Sequence, residues 1–217
     1  VRPRDLIARF GKVATIVRET GFSGVQLHAA HGFMASSFLS PLCNTRDDEW
    51  GGSLENRARF LIESLRAIRR AVGDDFPVSV KMNSADFHKG GFDMEQSMAV
   101  IEMLNAENLD MLEVSGGNYN APAMIGAIGG DQPLARQKAE RTLRREAYFM
   151  EYARRVRPVA TMPLMITGGF RTLDSMNEAL AENATDVIGL ARPFCVSTDF
   201  PAGLLRGDIS EVPMIEE

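Results

Sequence analysis

The sequence predicts an α/β fold of repeated strand–helix units, an incomplete (β/α)8 barrel, and three observations lead there. Short apolar runs alternate with longer stretches of helical period, and strands repeated in this way run parallel because a crossover helix must return the chain. No Gly-x-Gly-x-x-Gly follows any strand, which weakens the competing open, doubly wound dinucleotide sheet. The unusual residues His28, His31, Asn83, Ser115-Gly116-Gly117, Gly168-Gly169 and Arg192 fall at or just beyond the C-terminal ends of five different strands, where a barrel gathers its functional groups. A closed barrel takes eight strands and about 250 residues. About five of eight units in 217 residues therefore imply a single partial barrel domain over residues 1–217, a fragment or a chain completed by a partner.

Taken in order, a helix near 5–20 feeds a strand at 24–28. The helix at 53–72 has the clearest period: Leu54, Ala58, Leu61, Ile62, Leu65 and Ile68 recur at three- and four-residue steps and form one buried stripe. Ser53 is a good N-cap for it and Gly73 a good stop. Arg57, Arg59, Arg66 and Arg69 then read as its solvated face. Trp50, between Asp47-Asp48-Glu49 and Gly51-Gly52, reads as the anchor of a structured loop. Strands at 78–82, 111–114, 164–167 and 186–190 follow, with helices near 94–107, 137–157 and 172–182 between them.

Composition excludes several functions. The chain carries 24 Lys and Arg against 29 Asp and Glu, a formal charge of −5, with the charges interleaved rather than clustered. A nucleic-acid groove needs clustered cations, so no nucleic-acid partner is expected. No apolar run approaches the ~20 residues of a membrane helix, so no membrane partner is expected either. The opening Val1-Arg2-Pro3-Arg4 has no apolar signal core. Cys43 and Cys195 are too few to build a zinc or iron–sulfur site by themselves, and no metal site is expected. The expectation is a cytoplasmic protein that acts on a small molecule.

Two segments carry chemistry. Thr167-Gly168-Gly169-Phe170-Arg171 leaves a strand and enters a helix, so glycine backbone and free helix N–H groups can meet an anion, with Ala191-Arg192-Pro193 at the end of the next strand. A phosphate site in that corner is a recurrent barrel feature, and a plain turn with a salt-bridged arginine is the alternative. His28-Ala29-Ala30-His31 lacks the Glu of a zinc-protease helix; at a strand exit its two imidazoles can instead donate hydrogen bonds to one ligand oxygen. Lys81, within Val78-Ser79-Val80-Lys81-Met82-Asn83, is a cation in an apolar strand, costly to bury unless paired with an anion or an electron-rich ligand, and otherwise able to snorkel to the strand end.

At these residues the chain resembles the old yellow enzyme family of FMN-dependent NAD(P)H:flavin oxidoreductases, or ene-reductases. The resemblance runs through residues 21–33 and 38–57, then Val80-Lys81-Met82-Asn83-Ser84-Ala85-Asp86-Phe87, Glu113-Val114-Ser115-Gly116-Gly117 and Ile166-Thr167-Gly168-Gly169-Phe170-Arg171. It implies a (β/α)8 barrel around FMN, of which this chain holds strands 4 to 8. By the resemblance, His28 and His31 bind the substrate's activating carbonyl oxygen. Lys81 stands where the family places a basic residue beside the flavin, and Gly168, Gly169, Ala191 and Arg192 belong to the FMN phosphate site. The implied reaction takes a hydride from NAD(P)H to the flavin and then to an activated, enone-type alkene.

Two departures accompany it. The family's usual proton donor is a tyrosine five residues after the first histidine, and Phe33 stands there. A phenyl ring has no proton to give, which implies slower reduction, protonation from water or a shift toward isomerisation, unless Phe33 is ordinary core packing. The first three strands of the barrel are also not found. This implies weak FMN binding, or none, by the chain alone and an exposed apolar edge suited to a homo-oligomer or to a chain that supplies those strands. The competing expectations are a catalytically inactive fragment or subunit that associates with another chain, and, on fold grounds alone, a phosphate-sugar aldolase or isomerase using Lys81.

Overall fold

The computed structural model describes residues 2–115 and 149–213. The chain divides into two compact units, residues 1–128 with 159–162 and residues 129–158 with 163–217.

The first unit is a strand–helix repeat. Helix α1 (Pro3–Glu19) leads to β1 (Val25–Ala29), a short helix α2 (Met34–Leu39), α3 (Leu54–Val72), β2 (Val78–Asn83), α4 (Met94–Leu104) and β3 (Met111–Ser115). The strands β1, β2 and β3 pair in parallel, with His28 opposite Lys81 and Lys81 opposite Glu113. Since partners across a ladder share a face, that register sorts the side chains into two sets. Leu27, Ala29, Val78, Val80, Met82, Leu112 and Val114 are buried in the core. Gln26, His28, Ser79, Lys81, Asn83, Glu113 and Ser115 share the opposite face.

The helices form where their caps and stripes place them. Ser53 Oγ accepts a hydrogen bond from Asn56 N, Asp93 caps α4 through Gln96 N, and Gly73 closes α3 with a φ of 75°. Ala58, Leu61, Leu65 and Ile68 are fully buried on α3. Phe60 joins them, stacked on Phe38 of α2 at 4.2 Å and met edge-on by Phe10 of α1 at 6.1 Å. Helix α4 stops three residues short of the expected 107: the Asn105 amide reaches out to Val159 O and accepts from Thr161 N, so that residue serves a loop instead of continuing the helix.

One expectation fails on α3. Arg57 is not solvated: it is 5% exposed, and its guanidinium donates to Leu39 O, Gly52 O and Gln96 Oε1. Three acceptors satisfy a fork that three- and four-residue periodicity alone reads as polar and outward. Arg69 is likewise drawn in, donating to Asn108 O, Phe76 O and Asp110. Trp50 is the buried loop anchor the sequence suggests, its carbonyl accepting from Asn44 Nδ2.

The second unit holds a helical stretch over residues 149–156, then β4 (Leu164–Thr167), α5 (Leu173–Ala181), β5 (Val187–Gly189), a 3-10 turn (Arg192–Cys195) and α6 (Phe200–Arg206). Strands β4 and β5 pair in parallel, and Thr172 caps α5 by accepting from Ser175 N. The expected helix at 137–157 is thus seen over its last part, and the rest lies outside the described residues. No helix among the described residues is long and apolar enough to cross a membrane.

Candidate functional site

The polar face of β1–β3 is held together by hydrogen bonds from one strand to the next. Lys81 Nζ lies 2.6 Å from Glu113 Oε1, and Gln26 Nε2 donates to Glu113 Oε2 at 2.9 Å. The Glu113 side chain is 8% exposed and that of Lys81 19%. This pairing answers the cost of placing a cation in an apolar strand, and it excludes simple snorkelling. Glu113 is the residue that sequence reasoning missed. The available signal was its alternation: it is the one charged position in Met111-Leu112-Glu113-Val114, one strand over from Lys81.

The histidines stand at the C-terminal end of the same face. Their rings meet edge-on at 5.4 Å, and Phe33 lies against His28 at 4.7 Å. Phe33 is 48% exposed, so ordinary core packing does not describe it. His28 Nδ1 accepts from Ala30 N, which leaves the proton of a neutral ring on Nε2 as a donor. His31 Nε2 lies 3.0 Å from Ser115 Oγ, and its backbone N–H donates to Asn83 Oδ1. Asn83 is fixed in turn by Asp86, whose other oxygen accepts from Phe92 N. That clamp secures His31 in the left-handed region, at a φ of 61°.

Burial, and then the Lys81 charge, hold His28 below its ordinary value. The same two causes push His31 down to about 4, with His28 adding to them. Both imidazoles are therefore neutral near pH 7, and each is a hydrogen-bond donor without being a cation.

In the second unit, Gly168 and Gly169 follow β4 with φ of 116° and 88°, conformations open to glycine. A Cβ added at Gly189 would lie 1.8 Å from Thr167 Oγ1. That hydroxyl is buried and has no hydrogen-bond partner among the described residues. Ala191 is exposed, and half-buried Arg192 opens the 3-10 turn after β5. A tight glycine cradle, an unsatisfied hydroxyl and an arginine fit an oxygen-rich anionic group such as the phosphate of FMN. The structure thus brings His28, His31, Phe33 and Lys81 together in one unit, and Gly168, Gly169, Ala191 and Arg192 in the other. Gly116 and Gly117 lie outside the described residues.

The profile of the NADH:flavin oxidoreductase / NADH oxidase family matches residues 4–207. The chain belongs to that family. Its members take FMN as cofactor, with NADH or NADPH as hydride donor. The chain is 34% identical over 197 residues to the NADH-dependent flavin oxidoreductase iccE of Talaromyces variabilis, covering 90% of this chain and 46% of that protein. It is 27% identical to the cinnamate reductase of Clostridium sporogenes, covering 96% of this chain and 32% of the relative. Among solved structures, a 2-naphthoyl-CoA reductase complex superposes with a TM-score of 0.83 at 29% identity, over 97% of this chain and 30% of that one. The chain spans 25% of the length of the NADH-dependent flavin oxidoreductase iliE of Neonectria sp. and 51% of that of the 4,4'-dithiodibutanoate disulfide reductase of Rhodococcus erythropolis, so about half or less of such relatives.

Proposed function

We propose that this chain carries the substrate-binding and phosphate-binding parts of an FMN-dependent oxidoreductase that uses NAD(P)H to reduce an activated, enone-type alkene. In this reading its strands are strands 4 to 8 of a (β/α)8 barrel. The observation that carries the reading is the pair of neutral imidazoles beside the Lys81–Glu113 pair at the strand ends. A relative named for the reduction of cinnamate supports the substrate class.

When bound, FMN supplies the hydride chemistry. Gly168, Gly169, Ala191 and Arg192 would hold its phosphate, with the Thr167 hydroxyl free to donate a further hydrogen bond. Lys81 would stand at the ring. His28, with its proton on Nε2, and His31 donate to the substrate's carbonyl oxygen, so that oxygen bears negative charge more readily as the conjugated alkene accepts hydride. Phe33 presents a carbon face against His28 where a proton donor would otherwise stand, so the α-carbon takes its proton from water.

The test is saturated-ketone formation from cyclohex-2-enone with NADH or NADPH and excess FMN. The reading predicts turnover that falls at least about a hundredfold in the His28→Ala/His31→Ala protein, on the scale of removing oxyanion-type donors. Enone reduction unchanged by that double substitution would refute it.

A further inference from the structure

The resemblance implies that Lys81 is a cation beside the flavin, and in the structure Lys81 is held in an ion pair with Glu113. Lys81 and Glu113 are register partners on adjacent parallel strands, and both carboxylate oxygens are engaged, one by the Lys81 ammonium at 2.6 Å and the other by the Gln26 amide at 2.9 Å. The Glu113 side chain is the more buried of the pair, 8% exposed against 19%. A buried carboxylate with both oxygens occupied cannot rotate away, and it fixes the ammonium that it holds.

We infer that Glu113 is a positioning residue that clamps Lys81 through the Gln26–Glu113–Lys81 chain and cancels its charge, so that Lys81 meets the ligand as an aimed hydrogen-bond donor and not as an uncompensated cation. An ammonium has three donor hydrogens, and the clamp takes one. The remaining two are held on the polar face beside His28, its neighbour in register. Among the described residues, the charged and titratable groups on this face are His28 and His31 at β1 and its exit, Lys81 on β2 and Glu113 on β3; Asp86 lies behind Asn83. Removing Glu113 leaves the face with one more positive charge, and removing Lys81 leaves one more negative.

The inference rests on the proposed flavin and substrate site, and its test has two arms that fail separately. The first is the midpoint potential of FMN bound to the protein. Reduction adds negative charge to the ring, so Glu113→Gln should raise the potential relative to the parent, and Lys81→Met/Glu113→Gln should abolish that rise. The second arm needs no flavin: the His28 ring is titrated by NMR in the unliganded chain. With Glu113→Gln its protonation constant should fall about three- to tenfold, as an unscreened charge one strand away would cause. With Lys81→Met it should rise, and the double variant should return toward the parent. Circular dichroism establishes that each variant is folded. If the chain takes up no FMN, the titration alone decides the inference, and the proposed function is judged by its own enone-reduction test. Titrations of His28 that are the same in the parent, Glu113→Gln and Lys81→Met, or a double variant whose His28 titrates as it does in Glu113→Gln alone, would overturn it. So would a flavin potential unmoved by Glu113→Gln.

Discussion

The two faces of β1–β3 are built from the same backbone and differ in almost every other respect. On one face Leu27, Ala29, Val78, Val80, Met82, Leu112 and Val114 are at most 2% exposed and their side chains are apolar. On the other, Glu113 binds Gln26 and Lys81, and Asn83 and Ser115 both bind His31 at the exit of β1. A parallel sheet covered on both sides reads as near-continuous hydrophobic runs. Stability alone would favour that composition, since well-packed apolar residues usually match or exceed a buried ion pair. The alternation therefore separates two tasks: the apolar set holds the fold, and the polar set arranges donors and charges for a ligand.

The comparison breaks most visibly under substitutions on the apolar face. Leu112→Ala should cost about 2–5 kcal/mol in urea unfolding, the range for a buried leucine truncated to a cavity. A loss below about 1 kcal/mol would mean that this face is not the core. Next in size is Phe33→Tyr, which should leave the urea midpoint in place and raise the rate of enone reduction about tenfold or more by supplying an acid beside His28. An unchanged rate and product would show that Phe33 does not occupy the proton donor's position.

A smaller effect comes from pH. His31 is held at about 4 when folded, against an ordinary value of 6.5. Between those values the unfolded chain binds more protons than the folded one. This contribution to stability is thus fully present above pH 6.5 and is lost as the pH falls toward 4. Urea midpoints of the parent and His31→Asn across that interval should show a shallower decline for the variant. Smallest of all, Ser79→Ala, on the half-buried edge of the polar face, should change stability by less than about 0.5 kcal/mol, which sharpens the contrast with Leu112.

Much of this was legible in the sequence for physical reasons. All five expected strands are present, because β-branched runs between Gly, Pro and Asp leave little choice, and α3 was bounded at both ends by residues whose caps form. Helix α2 was not legible: its six residues lack an apolar period, and Phe33 at its N-cap makes no side-chain capping bond. Helix α6 had usable signals that went unread, proline in the first turn and Gly207 in the left-handed conformation just past the end. The histidines and Lys81 stood out because polar residues at strand ends are conspicuous. Glu113 and Arg57 did not, because their roles depend on partners 32 and 18 residues away, which only the fold brings near.

The account depends on the imidazoles at the strand ends being uncharged donors, and long-range proton–nitrogen NMR of the histidine side chains at pH 7 reads that property directly. It should show His28 neutral with its proton on Nε2, and His31 neutral beside it. An imidazolium at either position, or a proton on His28 Nδ1, would contradict the account.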